Sequence, residues 1–442
     1  MCEPPSLKNE KAHKEVTKAK ETLRRGTLLG AASYALVAIA NSVILPHQQS
    51  RRDAMGCDYL CLGSLSSARS ALSLVGATMV GKLSDSTTLD EKLGGNKRKF
   101  VLVIGLFAAA CAIISDHQAS SLSDLWVGIF PNALQQNLSV SKALLGEYQE
   151  SIPGGVTTAD RAWSAGMLGM AAGFSLMIGP FVGAILLRTY QQAVVAGLCA
   201  LLLAALLVYL LPSSKVQARD KNRQLKKGLL SFIDIPSARS PAALFLICIR
   251  LLSALSFHIY QTIWSVYMKE RLHFGPSEYG RFFSTVGFFY AISQGLLAKQ
   301  CLERLGGENP RGRTLLLAFS SLLIGGARYS ALHTTNTFGI YSIFSFKVTV
   351  YGVMSTILSA DISQIAAPED LGSFFGLFTA VEAGAGMLGS LLGGALGYLH
   401  PSLPLIVVVG LNLSIFATVL LGYERTVASQ RDSFTEGKKK VQ

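Results

Sequence analysis

Apolar residues in this chain gather into long runs, not into the short alternating stretches of soluble helices and strands. A helix that crosses the hydrocarbon core of a bilayer needs about 20 mostly apolar residues. Twelve runs approach that length: 27–46, 60–80, 100–115, 123–146, 162–187, 193–212, 241–268, 279–298, 314–331, 337–360, 371–398 and 402–423. Residues 27–46, 193–212 and 402–423 carry no charge at all. The pattern predicts an all-α membrane protein with twelve transmembrane helices, numbered below as spans 1 to 12.

Composition excludes the main alternatives. Apolar residues make up 50% of the 442 residues and charged ones 15%, against about 25% charge in a soluble domain. Mean hydropathy is +0.40. Disorder, a collagen-like fibre and a disulfide scaffold do not fit. A net charge of +13 would suggest nucleic acid in a soluble protein, but here the basic residues lie between apolar runs, so no nucleic-acid partner is expected. With the N-terminus inside, cytosolic segments hold 29 Lys/Arg and outer loops hold 5: Arg51, Arg52, Arg188, Lys269 and Arg271. That bias satisfies the positive-inside rule and puts both termini in the cytosol. Trp126, Trp163 and Trp264 each fall near a span end, where amphipathic rings favour the interface. Residues 1–26 lack the apolar core of a signal peptide. Cys61, Cys111, Cys199 and Cys248 fall in apolar runs and read as packing residues, not as bridges or metal ligands.

The chain also repeats. Segment 157–184 aligns with segment 367–394 at a constant offset of 210: Asp160 meets Asp370, Gly166 meets Gly376, Gly179 meets Gly389 and Gly183 meets Gly393. These fall in spans 5 and 11. The economical reading is a cytosolic tail (1–26), a six-helix bundle (27–212), a basic cytosolic linker (213–240), a second six-helix bundle (241–423) and a cytosolic tail (424–442). Parallel repeats with a site between them are a transporter plan.

Three motifs carry a resemblance. Span 2 ends in Gly81-Lys82-Leu83-Ser84-Asp85, and the following loop closes with Gly95-Asn96-Lys97-Arg98-Lys99. Span 5 carries Ser175 and then Gly179-Pro180-Phe181-Val182-Gly183-Ala184. Span 4 carries Pro131-Asn132-Ala133-Leu134 and ends at Glu147, with Asp160-Arg161 beyond it. Together they resemble the major facilitator superfamily, in particular its drug–proton antiporter branch of organic-cation-transporter-like and tetracycline-transporter-like proteins. The resemblance implies a cytosolic gate built from Gly81, Asp85, Gly95, Lys97 and Arg98. In that gate Asp85 faces the positive N-terminus of span 11, near Gly372 and Ser373. The sequence departs from the family pattern in three places. About seven extra residues separate Asp85 from Gly95. Ser175 and Ala184 stand where glycine is usual. Ile129 and Phe130 stand where span 4 usually carries a basic residue.

Ionisable groups inside a membrane are costly and usually mark function. Arg281 and Arg328 lie near the outer ends of their spans and Lys142 near the cytosol, where long side chains reach the headgroups. Arg69, Arg250, Lys347 and Glu382 sit about ten residues from their span ends, near mid-bilayer at 1.5 Å per residue. The resemblance places all four on spans that line or flank a central cavity. With His258, Gln261 and Gln135, on polar stripes of spans 7 and 4, they form the candidate substrate or proton site. Two readings stay open. Glu382 and Lys347 form a structural pair, or they belong to a transport site whose surplus of cations favours an anionic or carboxylate-bearing solute. Glu382 and His258 are the candidate proton carriers.

The sequons at Asn137 and Asn412 lie inside spans, so no glycan is expected. Gly306-Gly307 lacks the context of a phosphate loop, and no cofactor, metal or enzymatic site is expected. The sequence therefore reads as a secondary transporter that moves a small organic solute by alternating access, coupled to protons. An organic-anion uniporter or exchanger is the alternative. A receptor or scaffold that transports nothing is the alternative from another class.

Overall fold

In the computed structural model, residues 5–85, 93, 96–152, 158–213, 236–297, 300, 301, 304, 309–365 and 371–429 are described. Among them every regular element is a helix, joined by short turns, with no strand. The helices are α1 (Pro5–Ser42), α2 (Leu45–Ala54), α3 (Tyr59–Asp85), α4 (Lys97–Gln118), α5 (Leu122–Gly128), α6 (Asn137–Glu150), α7 (Thr158–Phe181) and α8 (Tyr190–Leu210), followed by α9 (Pro241–Glu270), α10 (Pro276–Ile292), α11 (Pro310–His333), α12 (Thr337–Ile365), α13 (Leu371–Leu399) and α14 (Leu403–Tyr423).

Local chemistry sets several of these starts. Ser121 accepts from the Asp124 amide and Thr189 from the Gln192 amide, each in a reciprocal capping box. Ser240 and Asn309 cap α9 and α11, with Pro241 and Pro310 in the first turn. There the missing N–H of proline costs nothing.

Ten helices among the described residues are long and apolar enough to cross a membrane. Spans 4 and 8 of the sequence reading are not among them. Span 4 is not one helix. It breaks after α5 into a short 3-10 turn, Phe130–Ala133, before α6 begins. Pro131 lacks the N–H an unbroken helix would need, and the carbonyl of Ala133 lies where a Cβ on Gly76 of α3 would stand. Span 8 is α10, which turns into π geometry at Ser293–Leu297. The charged tail is continuous with span 1, because α1 is already helical from Pro5. Most of the linker 213–240 and of the tail 424–442 lies outside the described residues.

The chain divides into two compact units. The first comprises residues 1–47 and 75–226, the second 48–74 and 227–442. The first unit has a core of small and aliphatic side chains, among them Ala40, Ile44, Ala109, Leu168, Val194 and Ala204. The second has an aliphatic cluster around Leu246, Ile249, Ile357 and Val419, and an aromatic one around Tyr260, Trp264, Phe282 and Phe344. Large apolar side chains such as Phe107, Leu202, Ile406 and Leu421 point outward. Lipid is as apolar as they are, so association there relies on close packing of small residues.

Glycines provide that close packing in both units at the repeat positions. In the first unit, a Cβ at Gly179 would fall on the Ser42 hydroxyl, and one at Gly183 on the carbonyl of Val43. Span 5 therefore lies directly on the end of α1. In the second unit, a Cβ at Gly389 would come within 3.0 Å of the Leu255 carbonyl, and one at Gly393 within 3.0 Å of the Ile259 carbonyl. There α13 lies directly on α9. Gly179 and Gly389, and likewise Gly183 and Gly393, thus do the same packing work in each unit, whereas Gly166 and Gly376 have open space around them.

Candidate functional site

In the second unit, α13 comes within backbone distance of two other helices, α9 and α3. Besides the α9–α13 contact, a Cβ on Gly63 of α3 would stand 2.6 Å from the Ser390 carbonyl and 2.9 Å from Gly394 Cα on α13. The hydroxyls of Ser66 and Ser390 are 2.9 Å apart. This packing positions Glu382, one helical turn before Gly386. Arg250 of α9 donates to its Oε2 at 2.6 Å. The side chains are 19% and 41% exposed, so the acid keeps an open face. His258 lies beside Gly386, where a Cβ would meet its ring at 3.1 Å and the Ser70 hydroxyl at 2.8 Å. Arg250, His258 and Glu382 are therefore brought together. Arg69, next to Ser70 on α3, is partly buried in the same unit. Gln261 sits one turn beyond His258 and is partly buried. Gln135 belongs to the first unit, just before α6, with its Nε2 buried and without a hydrogen-bond partner among the described residues.

The partner of Glu382 is Arg250, not the Lys347 of one sequence reading. Lys347 of α12 instead places Nζ 3.5 Å from the Phe344 ring centroid and 4.8 Å from that of Tyr260. Arg328 overturns a second expectation. Proximity to the helix end suggested a side chain reaching for headgroups, yet Arg328 is 3% exposed. It donates to Ser256 Oγ at 2.5 Å and lies 5.4 Å from the Tyr260 centroid. Asn412 of α14 donates to the same Ser256 oxygen at 2.8 Å and is itself buried, so its sequon is closed to glycosylation. Asn137 is likewise buried. Arg281 and Lys142 are exposed, as expected.

Of the gate residues, Gly81 lies in α3 with open space around it and Lys97 opens α4. Gly95 and the side chain of Asp85 lie outside the described residues, as do the side chains of Asp160 and Arg161. Arg98 donates from Nε to Glu147 at 2.9 Å and from Nη1 to Ser84 Oγ. The second unit holds a counterpart that the sequence reading missed. Arg313, at the start of α11, donates to Asp361 at 2.7 Å, and Tyr423 donates to the other Asp361 oxygen at 2.6 Å. The two ion pairs span 49 and 48 residues. That near-equal spacing was the available signal, an arginine opening one helix and an acid towards the end of a later one.

In the span 5 motif, Pro180 is buried beside Gly179. Ser175, standing where glycine is usual, donates to the carbonyls of Ala171 at 2.6 Å and Ala35 at 3.0 Å. Its hydroxyl thus fastens α7 to α1. The packing role read for Cys61 fails, because Cys57 and Cys61 are disulfide-bonded at the start of α3.

The Major Facilitator Superfamily model matches residues 155–390, just over half of the chain. The chain belongs to the major facilitator superfamily. It is a multi-pass membrane protein of a family of transporters, not enzymes, that handle small-molecule solutes. Human solute carrier family 67 member A1 is 22% identical over 357 residues, 77% of this chain and 79% of the relative. The human hippocampus abundant transcript 1 protein is 22% identical over 368 residues, 80% of this chain and 69% of the relative. Among solved structures, the human organic anion transporter MFSD10 (TETRAN) superposes with a TM-score of 0.66 at 18% identity, covering 90% of this chain and 99% of that one. The D-xylose–proton symporter superposes at 0.64 with 13% identity, covering 89% and 96%. These likenesses establish the superfamily fold.

Proposed function

We propose that this superfamily member is a secondary transporter for a small organic solute with an anionic group. In this reading twelve crossings form two six-helix halves, residues 27–212 and 241–423, joined by the cytosolic linker 213–240. Both termini are cytosolic, and the halves rock around a midplane site. The observation that carries the anion preference is the charge balance of the second unit. Arg250, Arg328 and Lys347 lie within its helices; Glu382 neutralises Arg250 at 2.6 Å, while Arg328 and Lys347 form no ion pair with a carboxylate among the described residues. Unbalanced cations in a low-dielectric interior favour an anion over an organic cation. That the solved structure of an organic anion transporter shares this fold agrees with the balance. The disulfide between Cys57 and Cys61 supports the orientation, because it lies in the loop assigned to the oxidising side.

Proton coupling is a second reading. The Glu382 carboxylate is 41% exposed while paired, and His258 lies close by. A proton arriving at Glu382 would release Arg250 to bind the solute. Purified protein in liposomes tests both. Flux of organic anions, driven by an imposed pH gradient and reduced to exchange alone in Glu382→Gln, supports coupling. Flux of anions indifferent to the gradient supports a uniporter or exchanger. Flux of cations alone rejects the anion preference.

A further inference from the structure

We propose that Arg328, Lys347 and Tyr260 form a binding site for one small monovalent anion, a carboxylate or a halide, among α9, α11 and α12. The site is separate from the Arg250–Glu382 pair, which compensates itself. It deepens the organic-anion reading above, and it rests on that reading only if the occupant is the solute's own carboxylate.

Two cations converge on one aromatic ring. The Arg328 guanidinium carbon lies 5.4 Å from the Tyr260 centroid and Lys347 Nζ lies 4.8 Å from it. Among the described residues, neither forms an ion pair with a carboxylate. Two like charges held in an apolar interior repel each other, and a ring face offsets only part of that cost. An anion between them turns the repulsion into two attractions.

The unsatisfied groups point the same way. Among the described residues, Arg328 Nε, Tyr260 Oη and Trp264 Nε1 are buried with no hydrogen-bond partner. All three carry hydrogens to donate, and buried donors are rarely left unpaired. An anion accepts from such donors. The surrounding packing makes the site rigid. Ser256 holds Arg328 at 2.5 Å and is itself fixed by Asn412 at 2.8 Å. Phe344 lies 4.3 Å from Trp264, centroid to centroid, and beneath Lys347 Nζ at 3.5 Å.

Trp264 makes the site visible. In purified full-length protein with Trp126→Phe and Trp163→Phe, Trp264 is the sole tryptophan, and it is 1% exposed. Iodide should quench it saturably, and chloride should raise the Tm by about 2–4 °C at saturation. Lys347→Gln should weaken the apparent iodide affinity at least about fivefold, since one of two charges is lost. Arg328→Gln is the stronger change; should it fail to fold, Tyr260→Phe, which keeps the ring but removes one donor, should weaken binding more modestly. Competition of benzoate against iodide assigns the site to a solute carboxylate, and binding of halides without such competition assigns it to an inorganic anion. Quenching that rises linearly with iodide and is equal in wild type and Lys347→Gln overturns the proposal. Flux of organic anions without saturable quenching rejects this site and keeps the transport reading. Saturable quenching without flux does the reverse.

Discussion

Replacing Glu382 with Gln separates the two candidate partners of that acid. The carboxylate takes a hydrogen bond from Arg250 at 2.6 Å. Losing one member of a fully buried ion pair costs about 3–5 kcal/mol, whereas exposed pairs are worth about 0–1 kcal/mol. At 19% and 41% exposure the pair lies between these limits, so a loss of about 1–3 kcal/mol is expected for Glu382→Gln or Arg250→Gln alone. With about 2–4 °C per kcal/mol for units of this size, the melting temperature should fall by about 2–12 °C. The double variant leaves no unpaired charge. It should regain about 1–2 kcal/mol relative to the sum of the singles. Thermal unfolding of the purified protein, followed by intrinsic fluorescence in all four corners of the cycle, reads this directly. Single losses that add within about 0.5 kcal/mol refute the pairing. So does rescue of Glu382→Gln by Lys347→Gln in place of Arg250→Gln.

Asp361 is 0% exposed and accepts from both Arg313 and Tyr423, so Asp361→Asn should cost about 3–5 kcal/mol. A thermal scan should show it to be more damaging than Glu147→Gln in the less buried pair of the first unit. Gly179→Val drives a side chain into Ser42 and should cost about 1–3 kcal/mol or more, while Gly410→Ala, with open space around it, should be neutral in the same scan. In a variant that keeps only Cys57 and Cys61, a membrane-impermeant maleimide applied to intact cells should label this pair only after reduction; labelling only from the cytosolic side would contradict the proposed orientation.

The runs of apolar residues made the fold class readable, because a bilayer imposes a length that few other environments demand. Breaks within a run were harder to place. Pro131 was visible, but its consequence depends on the neighbouring α3, where Gly76 leaves room for the turn at Ala133. The repeat at offset 210 pointed to close contacts at Gly179/Gly389 and Gly183/Gly393 but not at Gly166/Gly376, since close backbone approach is a local requirement that leaves a trace only where it occurs. The partner of Glu382 left no such trace. Arg250 and Glu382 are 132 residues apart, and shared depth on neighbouring spans made Lys347 the expected partner. Arg328 shows the limit of depth reckoning most clearly. Counting from the helix end placed it near headgroups, but Ser256 and Tyr260 on α9 draw it inward. Cys57 and Cys61 lie four residues apart, at a Cα–Cα distance of 5.3 Å, which one turn at the helix start supplies. Reading Cys61 by its apolar neighbours hid that spacing.

Equilibrium counterflow in proteoliposomes tests the central claim most directly. The vesicles are loaded with an aromatic carboxylate or with the amine of the same size, and uptake of the labelled compound is followed without any imposed gradient. The account predicts saturable counterflow of the carboxylate, well above protein-free vesicles, and little for the amine. Counterflow of the amine alone, or none of either above protein-free vesicles, would contradict it.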